Sequence, residues 1–557
     1  MKARWITDWP TSNRFIHYTR ANAGEVLADP VSPLGWTFGW DGGIVAGYKA
    51  GLIRCGVYED SDFDPDHPES VACFGGYLYI NLSAIRMQGA RNPAATVEIL
   101  DTAFFGDHPD VPPYVAHPDD HKPHLLAGIE AHTAWVLSGD RWPELDADKA
   151  DAAALRASRG DLTRLTDAQL VACARLVQSR LPHLFAQHVV SGTSAAVAPG
   201  LLGVVAEAIG EASLPMTVLS SIGDVDSAAA SHALWDLSRM VRDDSSANAA
   251  FDAEWQSFLY EFGSRGPDEW DLASPTWETH PQLALAALDR IRLQSDRESP
   301  VLRNAQRATA REAMVAHARE ALGGQPEIIA LLEAGITAGT MMAHRERTKT
   351  TIVRVLHEAR MAFRELGSRH GHLELVFQLL DSELDAYVND PASFTTSLTD
   401  RHREWRELFE LEPPFIIADA QVPPLNEWSR RDVAVVAAAT AGDILRGICG
   451  SPGSATGTAR VVLNPGDPGE LQPGDILVAP CTDPSWTPLF MAACAVVVDV
   501  GGQISHAVIV SRELGLPCVV SVTNGTRRIP NGALIEVNGT DGTVTILHSG
   551  AIGAKLT

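Results

Sequence analysis

The chain has 557 residues, 45% hydrophobic and 20% charged, with 44 Lys plus Arg against 70 Asp plus Glu and a formal net charge of -26. That length exceeds what one hydrophobic core organises, and it predicts about two to four domains of an ordinary folded, globular kind. The negative balance argues against nucleic acid and anionic membrane surfaces as partners, because both repel it.

The first residues, MKARWITDWP, lack the apolar stretch of a secretory signal. No apolar run is read as reaching the ~18–20 residues of a bilayer span, so a cytoplasmic protein is expected. The 7 cysteines, Cys55, Cys73, Cys173, Cys449, Cys481, Cys494 and Cys518, form no C-x-x-C pair and read as reduced thiols.

Residues 1–145 are rich in Gly, Pro and Trp with short apolar runs such as VACFGGYLYINL, which predict loops, short strands and short helices. From about 150 to 410 long Ala/Leu/Arg/Glu-rich segments carry apolar residues at helical spacing and predict a helical bundle or array. Together, 1–410 reads as one mainly helical domain. Pro413, Pro414, Pro423 and Pro424 disfavour continuous helix, and 411–449 reads as a linker. Beyond Gly450, short apolar runs alternate with Gly/Pro/Asp turns, and ALIEVNGTDGTVTIL predicts a hairpin. The expected fold is α+β and multidomain, with a compact C-terminal domain over 450–550.

The most informative stretch is VVVDVGGQISHAVIVSRELGLPCVV, residues 496–520. Val496–Val500 predicts a buried strand. Gly501 and Gly502 permit a tight turn, and Ser505 can cap a helix running from about His506 to Leu514, ended by Gly515 and Pro517. His506 then lies in the first turn, where free N–H groups and the helix dipole favour an attached phosphate. A neutral imidazole is nucleophilic enough to take up a phosphoryl group without a separate base.

An isolated Ser-His pair would read as a capping histidine. The longer pattern G-G-x-x-S-H-A-x-x-x-x-R-E-x-G-x-P-C-V-V resembles the mobile-domain signature of phosphoenolpyruvate-utilising enzymes, which include phosphoenolpyruvate synthase, pyruvate phosphate dikinase and rifampicin phosphotransferase. GSPGSATGTARVVL and LQPGDILVAPCTDPSWTPLF resemble two further segments of that domain. The resemblance implies a swivelling β/β/α phosphohistidine domain with His506 as the phosphoryl carrier and Thr482 beside it.

HYTRANAGEVLADPVSPLGW, EFGSRGPDEWDLASPTWE and RERTKTTIVRVLHEARMAFRELG resemble segments of the acceptor-binding domain of rifampicin phosphotransferase. Motifs of a TIM-barrel pyruvate domain are not found. The stretch GWDGGIVAGYKAG lacks the G-K-[ST] ending of a P-loop. The resemblance therefore implies that ATP and Mg2+ are bound by a separate ATP-grasp subunit, a layout similar to phenylphosphate and 4-methylphenyl phosphate (alkylphenol phosphate) synthase. The expected reaction converts ATP, water and an organic hydroxyl compound to AMP, phosphate and the phosphate ester. The alternatives are a rifamycin-type antibiotic phosphotransferase and a non-enzymatic phosphocarrier or regulatory ligand-binding protein.

Arg20, Asn22 and Glu25, with Arg265 and Glu269, are the candidate acceptor and phosphoryl-binding residues. An Arg fork suits phosphoryl oxygens, and a carboxylate suits the proton of an acceptor hydroxyl; structural ion pairs would use the same residues. Trp36, Phe38, Trp40, Trp270 and Trp277 suit either a pocket for an aromatic alcohol or ordinary core. His117, His121, His124 and His132 lack the Cys or carboxylate pattern of a metal site, and none is expected.

Overall fold

The computed structural model describes residues 9–549 apart from 65–69, 93–95, 106–107, 109, 140, 223–225, 243–248, 297–298, 432–435, 466–468, 470, 483–485 and 503–504. Its centre is the helix Thr340–Arg369, 30 residues long and buried along much of its length. Pro143–Ser158, Asp167–Gln178 and Leu181–Ala195 pack against that helix. This is the helical body that the periodicity over 150–410 predicts.

The N-terminal part contributes β1 (Tyr18–Thr19), β2 (Val71–Phe74) and β3 (Tyr77–Asn81). With β5 (Ile416–Ile417) they make an antiparallel sheet in the order β2-β3-β1-β5. The Gly-rich stretch is helical: a π-helix over Gly35–Ile44 leads into the helix Val45–Arg54. Its glycines permit close packing on Leu181–Ala195. A Cβ at Gly47 would lie 2.4 Å from the Pro182 carbonyl, and one at Gly51 would lie 2.5 Å from the Val189 Cβ.

The run Asp167–Ile209 does reach the length and mean hydropathy of a membrane span, with half of its most apolar window buried in the body. Turns at Ser179–Arg180 and at Ala196 divide it into helices of 12, 15 and 13 residues. Each is shorter than the ~20 residues a bilayer requires.

The C-terminal domain holds an eight-stranded sheet in the order β7-β14-β13-β9-β10-β11-β12-β8. These strands are β7 (Ile444–Arg446), β8 (Ile448–Ser451), β9 (Ser454–Val461), β10 (Ile476–Ala479), β11 (Ala495–Val498), β12 (Cys518–Val520), β13 (Leu534–Asn538) and β14 (Thr543–His548). Strands β9 to β12 are parallel, and β13–β14 is the expected hairpin. Both β10 and β11 are buried at every residue, as parallel strands covered on two faces must be. The helices Thr487–Ala492 and His506–Leu514 make the crossovers.

The two bodies are docked. A single apolar cluster joins Leu234, Trp235 and Leu288 of the body to Leu477, Phe490 and Val508 of the C-terminal domain. Between them, β4 (Leu411–Glu412) pairs with β6 (Ser429–Arg430), and Trp428 is buried against Tyr77. The chain joins the C-terminal domain at Ala439, whose N–H donates to the Arg528 carbonyl at 2.7 Å. Residues 432–438 lie between these two anchored ends.

Candidate active site

His506 is the first residue of its helix and lies beyond the carboxyl ends of parallel strands β10 and β11, the edge where open α/β sheets gather ligands. Ser505 caps that helix by accepting the Val508 N–H at 3.5 Å. The Gly502 carbonyl accepts the Ser505 N–H at 3.0 Å, and the Gly501 carbonyl accepts the Ser521 hydroxyl at 2.7 Å. A Cβ on Gly501 would stand 3.1 Å from Ser505 Oγ, so glycine permits the close turn. Gly515 ends the helix at φ 66°, in the left-handed region.

The imidazole is only 3% exposed. Its Nδ1 is 3.1 Å from Thr482 Oγ1 and its Nε2 3.4 Å from Thr487 Oγ1, so a hydroxyl stands at each ring nitrogen. Phe490 meets the ring edge-on. The centre of the T-D-P-x-W turn, 483–485, lies outside the described residues.

The opposite wall comes from the helical body. Glu25 Oε2 accepts the His506 backbone N–H at 3.3 Å. Burial, reinforced by the positive charges of Lys349, Arg265 and Arg345, holds the His506 imidazole well below its ordinary range, so it is neutral and nucleophilic at cellular pH. Burial pushes the Glu25 carboxyl the other way, up to about 7, against the pull of Arg345, the His506 N–H and Lys349.

Arg265 and Glu269 are both buried and form an ion pair at 3.4 Å, and Arg265 Nη1 donates to Thr350 Oγ1 at 3.5 Å. Arg265 Nη2 has no hydrogen-bond partner among the described residues. Buried N–H groups are normally satisfied, so this one is available to an anion. Arg345 donates to Glu346 at 3.1 Å, and Lys349 lies one turn further along the same helix. Burial lowers Lys349, opposed by the negative charges of Glu346 and Glu269.

The structure thus brings Glu25 and Arg265 to His506, with Glu269 paired to Arg265, but gives Arg20 and Asn22 other work. The Arg20 guanidinium donates to the carbonyls of Leu78, Leu27 and Ala28 and lies over the rings of Tyr77 and Tyr79. Asn22 takes φ 61°, a conformation Asn tolerates, and turns the chain into the short helix Ala23–Val26 that carries Glu25.

Trp36, Phe38, Trp40 and Trp270 belong to the body core, whereas Trp277 belongs to the cluster shared with the C-terminal domain. Trp270 lies 5.8 Å from the ring of His188 and 6.1 Å from that of Trp40. His188 shares a 3.0 Å hydrogen bond with Thr348, and burial together with Arg345 and Lys349 lowers it to about 3. Of the other candidate histidines, His124 contacts Glu59, His117 accepts from the Asp119 N–H, and His132, within the helix Leu126–Ser138, contacts Ser194.

Arg345, Glu346, Lys349, His188 and Thr487 were not singled out from sequence. The signal lay in RERTKTT, a charged stretch on the central helix in which the structure buries Glu346 and Lys349 and half-buries Arg345 and Arg347.

Residues 471–542 match the family described as PEP-utilising enzyme, mobile domain. The chain carries a PEP-utilising mobile domain. Residues 185–346, which include His188, Arg265, Glu269, Arg345 and Glu346, match the rifampicin phosphotransferase fourth domain.

The chain is similar to prodigiosin synthesizing transferase PigC of Serratia marcescens, 30% identical over 57% of this chain and 36% of that protein. It is also similar to rifampicin phosphotransferase of Streptomyces sviceus, 31% identical over 52% of this chain and 34% of that protein. Phosphoenolpyruvate synthase of Aeropyrum pernix is 39% identical over 27% of this chain and 19% of that protein. The chain therefore spans about a third or less of the length of these curated relatives. The mobile-domain match covers His506, Thr482 and Thr487.

Proposed function

We propose that this chain is the acceptor and phosphohistidine part of a dikinase-type phosphotransferase. His506 takes a phosphoryl group originating in ATP and delivers it to the hydroxyl of a small aromatic acceptor such as an alkylphenol. One observation carries this reading: the neutral imidazole of His506 is enclosed against Glu25 and faces the positive charges of Arg265, Arg345 and Lys349 from the other body.

In the delivery step the N–P bond of phosphohistidine breaks and an O–P bond forms to the acceptor. The phosphoryl oxygens carry charge through a loose transition state, which Arg265, Arg345 and Lys349 oppose electrostatically. The acceptor proton passes to a carboxylate, and the imidazole nitrogen freed by N–P cleavage takes up one proton, so that neutral His506 and the phosphate ester are both formed. Glu25, bonded to the reacting residue and raised to about 7, suits that work at cellular pH. The rings of Trp40, Trp270, Phe185 and His188 lie together beside this charge cluster and support an aromatic acceptor.

Among the described residues, the glycine-rich stretch of residues 39–51 does not fit a nucleotide cradle. The glycines of GWDGGIVAGYKAG sit in helices packed against Leu181–Ala195, so their N–H groups are not arrayed around a phosphate. In keeping with the resemblance to the split phenylphosphate and alkylphenol phosphate synthases, we place ATP and Mg2+ on a separate ATP-grasp subunit. With His506 3% exposed in the docked arrangement, loading requires the mobile domain to leave the body, with the linker within 411–449 as its hinge.

The test is transfer of radiolabel from the loaded chain. Label passes to a 4-methylphenol pool from the wild type, and His506→Ala takes up none. Label on a peptide lacking His506, or transfer only to protein, overturns the proposal.

A further inference from the structure

The geometry points to Arg360 as the positioning residue that holds the two halves of the transfer site in register, an inference that rests on the phosphotransfer reading above. One half is the central helix Thr340–Arg369 with Arg345 and Lys349. The other is the segment 263–281, which carries Arg265 and Glu269 and has no regular secondary structure. A buried irregular segment has no ladder to satisfy its carbonyls, so other groups must fix its path.

Arg360, fully buried at 0% exposure, supplies those groups. Its Nη2 donates to the carbonyls of Glu269 at 2.8 Å and Asp271 at 2.7 Å, and its Nε donates to that of Leu272 at 3.2 Å. Three carbonyls within four residues thus close on one planar fork. Nη1 donates to His357 Nδ1 at 3.1 Å. Since arginine only donates, that nitrogen accepts, and His357 Nε2 carries the proton given to Glu278 at 2.8 Å. His357, lowered to about 4 chiefly by burial, stays neutral and keeps this tautomer.

The same segment is tied to the strand of chain that bears Glu25. Asp268 accepts the Ala28 N–H at 2.9 Å, and Asp271 accepts both the N–H and the hydroxyl of Ser32. Arg360 therefore sets Glu269 directly and the Glu25 segment through Asp271. It stands eleven residues, or about 16 Å of helix, from Lys349, so it acts by placing other groups and not by touching phosphate.

Arg360→Lys keeps the charge and loses the fork, since an ammonium cannot span three carbonyls in fixed geometry. In the full chain, loading of His506 by the ATP-grasp partner is expected to match wild type, while single-turnover delivery to 4-methylphenol falls about a hundredfold. The loss should appear in the rate at saturating acceptor and not in the half-saturating concentration. A merely stabilising role would reduce the folded fraction and leave the rate per folded molecule unchanged.

Hydrogen exchange gives a readout independent of acceptor. The Trp277 and Glu278 N–H groups, bonded to the Arg265 and Gly263 carbonyls, should exchange faster in the variant. If Arg360→Lys does not fold, Glu278→Gln, which loosens His357 behind Arg360, should show the same rate loss in smaller measure. Folded Arg360→Lys, or failing that Glu278→Gln, delivering at the wild-type rate overturns the assignment. Wild-type protein that loads but delivers to no small molecule overturns instead the reading on which it rests.

Discussion

The Glu25 carboxylate accepts the backbone N–H of His506 at 3.3 Å, across the interface between the helical body and the mobile domain. A helix N-terminus favours an anion, and in the docked, unphosphorylated chain the body itself provides one. A phosphoryl group on His506 would bring a second anion close to Glu25, a repulsion that protonation of Glu25 relieves.

Glu25→Gln keeps an oxygen for the His506 N–H and removes the base. Delivery to acceptor should fall by about 10²–10⁴-fold, with loading of His506 unchanged. In the wild type, delivery should rise with pH through about 7, where the buried carboxyl ionises. The variant should lack that limb. The stability effect has the opposite sign: the folded-state pKa is raised from 4.5, so the contribution of Glu25 is complete below about 4.5 and is lost as pH rises through about 7. Single-turnover rates and thermal unfolding measured against pH check the two trends separately.

Lys349→Met removes one of the three positive charges that, with burial, hold the His506 imidazole below its ordinary range. The imidazole of the variant should titrate closer to its ordinary range, observable by NMR of selectively labelled histidine. Delivery should drop by about 10²–10³-fold, the usual cost of losing one group that opposes transition-state charge. An unchanged His506 titration together with an unchanged delivery rate would show that Lys349 stands outside the transfer site.

How much of this was legible in the sequence follows from how local each signal is. The Ser505 cap, the helix beginning at His506 and the Gly515 stop are set by neighbours within ten residues, and the structure places all three as the pattern predicts. The hairpin β13–β14 was equally local. Arg345 and Lys349 were missed because charges on a helix normally face water, whereas the neighbours of this helix bury Lys349 and half-bury Arg345. Arg20 sat beside Glu25 in sequence, yet its donors are directed to three carbonyls that no local pattern reveals. The glycines of residues 39–51 resemble a flexible loop in composition, but their purpose is the close approach of two helices, a relationship between segments about 140 residues apart.

Residues 432–438 are seven positions between the last body strand and the first anchored residue of the mobile domain, and fully extended they reach at most about 25 Å. Deleting four of them leaves about 10 Å, too little for the domain to turn His506 away from the body. Turnover with the partner subunit should then fall to background, with loading of His506 as the half-reaction that is lost. Full turnover by the shortened chain would place the moving element elsewhere.

The purified chain, given ATP and Mg2+, should leave His506 unphosphorylated. Its glycine-rich segment is helical, with a Cβ at Gly43 already 2.8 Å from the Leu181 side chain, so no phosphate can lie against that backbone. The imidazole is meanwhile enclosed by Thr482, Thr487, Phe490 and Glu25, which leaves a nucleotide no approach while the domains are docked. Adding an ATP-grasp subunit should restore labelling of the His506 peptide, with AMP as the nucleotide product and a phosphate that is acid-labile and base-stable. Mass spectrometry of the His506 peptide after incubation with ATP alone decides the matter: phosphate on it, in protein shown free of any second polypeptide, would mean that the chain loads itself.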